Sequence, residues 1–489
     1  MSNRSASFNL LLPARKAETP AFRWLYSALR ADILEGRLRP GSRLPATRDL
    51  AAQYGLSRGT VVSAFDELKS EGYLHGSRGS GTYISSVLPE HLLQVQASQR
   101  LAVRKQPPRR LSDYAARVQR FSNLDSRPTR AFRANLPALD LFPTKIWSRI
   151  AERRLRRLSI PQLLGCDTLG YLPLRTAVAD YLNTSRGTQC KAEQVMIVSG
   201  MQEALDLAGR LVLNPGDPVC IEEPGYPGSA LAFEALGAKI CAVPVDSEGM
   251  ELPGAGARKA KLVYVTPGHQ FPVGTTMSLA RRLKLLEWAR RSCALIFEDD
   301  YDSEFRYTGR PIPALQGLDQ RGLVLFAGSF SKVLFPSLRL GYLVLPADLI
   351  ERFAAAKTVL NRHAPPLEQT VLCDFITEGH FARHLRRMRE VYAERLAVLT
   401  ESARQKLKGL LELSSVEAGL QTVGWLQQGI DSEAAKRAAA ARKVEVTPLR
   451  AYSRGSMQRE GLHLGFAAVN TQEIKRGVQQ LAAALEELC

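Results

Sequence analysis

Between residues 194 and 328 the chain returns five times to a short apolar run: QVMIV (194–198), DPVCIEE (217–223), KLVYVT (261–266), ALIFED (294–299) and LVLFAG (323–328). Stretches of helical periodicity separate them, such as QEALDLAGRLVL and SLARRLKLLEWARRS. Apolar strands alternating with helices read as a mostly parallel sheet covered on both faces. The pattern sets in at about residue 131. Ligands of such sheets sit beyond the carboxyl ends of the strands, so the residues after each run carry the functional information.

The first run is followed by Ser199, Gly200 and Met201, a turn that opens a helix, and the amides of Gly200 and Met201 are placed to bind a phosphate. The second is followed by PGYPG, which offers Tyr226 as a planar stacking surface, and the third by PGHQFPVG. After the fourth comes DDYDSEF, and after the fifth GSFSKVLFPSLRLGY (328–342), in which Lys332 stands seven residues from the next cation, Arg339. A lone lysine after a strand is ordinarily a solvated loop residue. Here five strand ends converge on an amine, a carboxylate, an aromatic plate, hydroxyls and an arginine, the inventory that pyridoxal 5'-phosphate requires. Lys332 would form the aldimine and Asp299 would pair with the pyridinium nitrogen. Tyr301 would bond the ring hydroxyl, and Ser329 and Arg339 would hold the phosphate, a task for which the guanidinium fork is apt.

Composition bounds the rest. A chain of 489 residues suggests about three domains. No run of eighteen apolar residues occurs, so no membrane span is expected. The N-terminal stretch lacks the long apolar region of a signal peptide. Seven cysteines without CxxC spacing point to reduced thiols in a cytoplasm, with neither a metal site nor a disulfide framework. Of the net charge of +18, residues 1–85 carry +5 and residues 86–130 carry +6. That excess is either a solvated basic face or the footprint of a polyanion.

Residues 21–35 place Phe22, Leu25, Leu29 and Ile33 on one helical stripe. Thr47 reads as the N-cap of a short helix ended by Gly55, and Ser57 as the cap of a third with Val61, Ala64, Phe65 and Leu68 inward. YLHGSRGSGTYIS then reads as two strands around a glycine-rich tip. This is the layout of a winged helix-turn-helix. Arg58 and Thr60 lie where a recognition helix meets base edges, Arg48 lies beside the backbone, and Arg78 next to Gly79 sits on the wing. With Ser57 they form the expected DNA-binding set. Residues 86–130 are polar, basic and broken by Pro107 and Pro108; they read as a partly extended tether that either tracks DNA or merely solubilises.

The string GRLRPGSRLPATRDLAAQYGLSRGTVVSAFDELKSEGYLHGSRGSGTYI closely resembles the DNA-binding domain of GntR-type regulators over residues 21 to 85, in which the positions of Arg48, Arg58, Thr60 and Arg78 contact DNA. Position 59 is Gly where that family often has Thr. LGYLPLRTAVADYL, SGMQEAL, EEPGYPG, EDDYDSEFRY and GSFSKVLFPSLRLGY resemble fold type I aminotransferases over roughly 135 to 485. That resemblance implies that Tyr171 reaches the cofactor phosphate of a partner subunit. The combination is similar to the MocR/GabR-type subfamily. It implies a GntR-type winged helix-turn-helix domain (1–85), a basic linker (86–130) and an α/β aminotransferase-like domain (131–489).

The resemblance further implies a head-to-tail homodimer that binds a double-stranded DNA operator. In it an amino-compound effector forms an external aldimine with pyridoxal phosphate and alters operator binding. Two departures matter. TPGHQFPVG puts Phe271 where the enzymes' NPTG stretch has its Asn, with His269 beside it as a further candidate for the cofactor site. LHLGFA puts His463 where many relatives have a carboxylate-binding arginine, with Arg450 the nearest substitute for contacting an effector. A working aminotransferase that carries a DNA-binding head is the alternative, and a cofactor-free dimerisation module is a third reading.

Overall fold

Leu25, Leu29 and Ile33 are buried along α1 (Ala21–Leu34) in the computed structural model, as a helical stripe requires. The structure describes residues 10, 12–15, 18–77, 81–88, 110–118, 129–254, 257, 259–309 and 312–489. Helices α2 (Thr47–Tyr54) and α3 (Arg58–Ser70) close the first core, with Val61, Ala64, Phe65 and Leu68 of α3 all buried in it. The cap of α2 is Ala46 rather than Thr47, because the extended backbone ends one residue earlier, and no side chain caps that helix. Gly55 ends it in the left-handed conformation (φ +62°). Ser57 does cap α3, its Oγ accepting from the Thr60 amide at 3.1 Å.

β1 (Leu74–Ser77) and β2 (Gly81–Ile84) pair antiparallel with Leu74 opposite Ile84. Residues 41–44 line the other edge of β2, the amides of Gly41 and Leu44 donating to the carbonyls of Ile84 and Thr82. Gly81 has φ +116°, and a Cβ there would come within 2.7 Å of the Arg43 Nε, so the wing needs glycine. Arg78, Gly79 and most of the stretch between the domains lie outside the described residues. Within that stretch Asp113–Val118 form a helix, and Arg117 Nε donates to the Ala235 carbonyl at 2.9 Å. The expected tether is therefore helical at that point.

The chain divides into two compact units between Arg110 and Leu111. The second is built on an eight-stranded sheet: β3 (Val195–Val198), β4 (Pro218–Glu223), β5 (Lys239–Asp246), β6 (Gly249–Met250), β7 (Leu262–Val265), β8 (Leu295–Asp300), β9 (Val324–Ser329) and β10 (Gly341–Val344). Its order is β3-β10-β9-β8-β7-β4-β5-β6. β10 runs antiparallel to both neighbours, β6 antiparallel to β5, and the remaining pairs are parallel. β3, β4, β7, β8 and β9 thus point the same way, and their carboxyl ends share one edge. β3 and β7 are buried at every position, which is why they appear as unbroken apolar runs.

A second sheet, β11 (Leu411–Leu413), β12 (Gln421–Leu426), β13 (Thr447–Pro448) and β14 (Gly461–Gly465), is wholly antiparallel in the order β11-β12-β14-β13. The 27-residue helix His380–Lys406 precedes it. No described helix is long and apolar enough to cross a membrane.

Candidate functional site

Three acids close β8, and the two-residue period of a strand gives them different tasks. Glu298 and Asp300 fall on one face. Glu298 accepts from the amides of Leu315 (2.7 Å) and Gln316 (2.9 Å), and Asp300 pairs with Arg186 at 2.6 Å. Asp299 falls on the other face and lines a cavity of about 250 Å³ at the strand ends. Tyr264, the polar residue of buried β7, donates to Asp299 Oδ2 at 2.6 Å. Asp299 Oδ1 is buried with no partner. Burial pushes this carboxyl up to about 7.

Lys332, three residues beyond β9, lies in the same wall and donates to the Asn135 carbonyl at 2.8 Å. Burial lowers its ammonium to about 8, against the opposing fields of Asp302 and Asp299. Tyr226, Tyr301 and Ser329 also line the cavity. Tyr226 stands edge-on to Phe271 (5.7 Å, 84°), and a Cβ on Gly228 would come within 2.4 Å of its ring, so the PGYPG turn needs glycine there. Ser329 Oγ accepts from the Ser331 amide at 3.2 Å.

At the rim, Gly200 (φ +111°) precedes the helix Met201–Val212, whose first residue lines the cavity. A Cβ on Gly200 would lie 3.1 Å from Arg339 Nη2. Arg339 itself is exposed. A helix N-terminus and a guanidinium therefore meet at a glycine, a cradle for a phosphate. The Ser199 amide is committed elsewhere, donating to the carboxylate of Glu203, so the turn offers the amides after it.

The remaining sequence candidates separate. His269 stands behind Tyr301, its Nδ1 2.9 Å from Asp302 Oδ1 and 3.0 Å from the Tyr301 hydroxyl. It is buried and does not itself line the cavity, which it reaches through its contact with Tyr301. Tyr171 begins the helix Leu172–Arg186, its amide held by Gln369 Oε1 at 2.8 Å, and does not line the cavity. His463 lies buried on β14, 5.3 Å from Phe271, with Nδ1 3.0 Å from the Tyr452 hydroxyl. Arg450 faces the surface instead, paired with Asp431 (3.0 Å) and Glu460; those carboxylates draw it away from the cavity. Sequence reasoning missed Asn135, Tyr264 and Asp302. A tyrosine inside an otherwise apolar buried strand was the one available signal, since its hydroxyl must find a partner.

In the first unit, Arg48, Ser57 and Arg58 are exposed and Thr60 is partly so, its hydroxyl 2.8 Å from that of Ser57. Arg58 and Thr60 occupy the first turn of α3, the end by which a recognition helix contacts bases.

The residues present fit pyridoxal phosphate. The orphaned Asp299 Oδ1 has room for a ring N–H, the Gly200–Arg339 cradle for a phosphate, and the partly neutral Lys332 amine for a carbonyl carbon. Comparison with known proteins agrees. Residues 145–481 match the family "Aminotransferase class I and II", and residues 23–84 match "Bacterial regulatory proteins, gntR family". The chain is 38% identical over 97% of its length to the probable rhizopine catabolism regulatory protein MocR of Rhizobium meliloti, covering 96% of that protein. It is 30% identical over 94% of its length to the pyridoxine biosynthesis transcriptional regulator PdxR of Corynebacterium glutamicum, covering 95% of it. Among solved structures, the kynurenine aminotransferase of Pyrococcus horikoshii superposes with a TM-score of 0.68 at 28% identity, over 78% of this chain and 95% of that one.

Proposed function

Because the chain belongs to the MocR-type GntR regulators, which join a DNA-binding head to a class I and II aminotransferase domain, we propose that an amino compound binding beside Lys332 alters operator binding. The protein is a pyridoxal phosphate-dependent transcription regulator. When bound, pyridoxal phosphate would supply a carbonyl carbon reactive toward amines and a ring that withdraws electrons.

The protein's own groups do the rest. Asp299, oriented by the Tyr264 hydroxyl, would hold the ring nitrogen. Tyr226 would cover the ring, and Tyr301, bonded to His269 and through it to Asp302, would meet the ring hydroxyl. Ser329, Arg339 and the amides of Gly200 and Met201 would take the phosphate. Lys332 holds or yields a proton near neutrality. The carrying observation is one cavity lined both by Lys332, whose ammonium burial lowers to about 8, and by Asp299, whose Oδ1 is buried without a partner.

The active form is a homodimer in the cytoplasm, arranged head-to-tail. Leu163, Leu164, Ile160 and Val359 are 70%, 83%, 74% and 90% exposed, an apolar patch that supports burial against a second copy. Tyr171 lies in the same region of sequence and would reach the phosphate held by that copy. Arg48, Ser57, Arg58 and Thr60 contact the operator, and Arg78 and Gly79 do so from the wing.

The test is a titration of the full-length, cofactor-loaded protein with a panel of amines, read by visible absorption and then by operator affinity. A compound that shifts both identifies the effector. An absence of any cofactor band would end this reading. A working aminotransferase is the second reading, favoured by the partly neutral Lys332 amine. Rapid conversion of amine and keto acid without any effect on operator affinity would establish it instead.

A further inference from the structure

The second unit begins at Leu111, so the helix Asp113–Val118 is the first described element that the chain enters after leaving the DNA-binding unit. It has six residues and none of them is buried. A helix so short does not hold itself together in water, so what it docks on decides whether it forms. Arg117 Nε donates to the carbonyl of Ala235 at 2.9 Å. Ala235 is the last residue of the helix Pro227–Ala235, where a carbonyl has no partner within the helix and the dipole favours a cation. Gly237 follows with φ +88°, and a Cβ there would lie 3.5 Å from Arg117 Cζ. The guanidinium thus lies against the turn that ends that helix, and the linker satisfies a carbonyl that the helix leaves open.

The other end of the same helix is in the cofactor cavity. Tyr226, which lines the cavity, is its N-cap. The Tyr226 carbonyl accepts from the amide (3.2 Å) and the Oγ (2.8 Å) of Ser229 in the first turn. Ser229, Ala230, Phe233 and Ala235 are buried, so the helix is packed along its length. Its nine residues span about 13 Å. A shift of Tyr226 is therefore passed on to Ala235 rather than absorbed by bending.

We propose that this helix relays occupancy of the cavity to the DNA-binding unit, and that Arg117 is the positioning residue at which the relay reaches the linker. The proposal rests on the reading of the cavity as the effector site. A ligand that changes the place of Tyr226 changes the fit of the Ala235 carbonyl to Arg117, and with it the balance between a docked and a released linker helix. The ligand shifts that balance by as much as it favours one form over the other.

The experiment fills the cavity of the full-length protein with two probes: pyridoxal phosphate, which engages Lys332, and pyridoxamine phosphate, which has no carbonyl and leaves Lys332 unengaged. Deuterium uptake by residues 113–118 is read first. Affinity for a DNA duplex selected from a random pool by the wild-type protein is read second. The uptake rate should differ by about threefold or more between the two loaded forms, and the DNA affinity by about fivefold or more. Equal uptake overturns the proposal, and so does unequal uptake with equal DNA affinity. A protein that shows no visible band with pyridoxal phosphate instead fails the proposed function, so the two failures are distinct.

Arg117→Ala should keep the visible band, while uptake and DNA affinity become equal in the two loaded forms. Arg117→Lys, whose ammonium also donates to a carbonyl, should restore part of the difference. A merely structural role would change DNA affinity in both forms by the same factor and preserve their ratio. A wild-type ratio in Arg117→Ala removes Arg117 from the relay.

Discussion

Burial acts on Lys332 and Asp299 in opposite directions and favours the neutral form of each. The lysine falls to about 8 and the carboxyl rises to about 7. Only the neutral amine attacks a carbonyl carbon, and below its own value Lys332 holds its proton. Capture of pyridoxal phosphate should therefore accelerate as pH rises from 6 and level off above about 8. Stopped-flow absorbance on cofactor-stripped protein measures this, and a profile still climbing steeply at pH 10 would mean an unshifted lysine. Asp299 becomes useful as an anion once a cation faces its free Oδ1. Asp299→Asn keeps the shape but removes the charge, and a charge-assisted hydrogen bond contributes about 1.5–3 kcal/mol. Cofactor affinity should fall by roughly that amount, on the order of 10- to 100-fold. Folding stability should not fall with it, because a buried carboxyl with an unpartnered oxygen has been replaced by an amide. Equilibrium dialysis and denaturant unfolding separate the two outcomes.

The phosphate turn is held by a helix whose start is anchored from elsewhere in the fold. Glu203, in the first turn of Met201–Val212, accepts from the Ser199 amide and pairs with Lys357 of the helix Ile350–Leu360. Lys357 is fully buried and Glu203 nearly so. Lys357→Met would leave an uncompensated buried carboxylate, at a cost of about 3–5 kcal/mol, and would loosen the turn that carries Gly200. The double change Lys357→Met with Glu203→Leu should restore most of the stability, since a hydrophobic pair replaces an ion pair at little net cost. Denaturant midpoints of the second unit provide the measurement.

This anchor was not visible in the sequence. Its two members lie 154 residues apart, as Lys332 and Asn135 lie 197 apart, and no periodicity relates such positions. What was legible is what burial writes locally. β3, β4, β7, β8 and β9 emerge as apolar runs, the stripes of α1 and α3 as helical spacing, and Ser57 as a cap. β5 escaped notice because it is only partly buried, with its burial broken along its length, so it lacks the apolar signature. β11 and β13 have only three and two residues, and β12 and β14, though buried, are interrupted by Gln421, Thr422 and Gly424 and by Gly461, His463 and Gly465, so neither reads as an apolar run. Arg450 illustrates the opposite error. Position in the sequence put it near the site, whereas local carboxylates hold it at the surface.

The two units have separate hydrophobic cores, one around Leu25, Leu29, Leu50 and Phe65, the others beneath and above the eight-stranded sheet. Damage to one site should therefore leave the other folded. Lys332→Ala removes the amine without touching the first core, so the variant should lose the visible cofactor band and all response to amines while binding operator with the affinity of effector-free protein. Arg58→Ala removes an exposed side chain at the start of α3. It should leave the spectrum and amine titration unchanged and weaken operator binding by about 1–3 kcal/mol for each base that Arg58 reads with a bidentate pair of hydrogen bonds. Non-specific DNA binding, which depends on counterion release by the basic N-terminal residues, should fall far less. If Lys332→Ala also abolished operator binding, DNA recognition would require the liganded cavity itself, and the effector would act as a structural part of the DNA-binding form. If Arg58→Ala altered the amine titration, binding free energy would be shared between the two sites even without DNA. The result expected from separate cores is neither, with coupling that appears only when amine and operator are present together. By linkage that coupling is reciprocal, so saturating operator must change amine affinity by the same factor by which amine changes operator affinity.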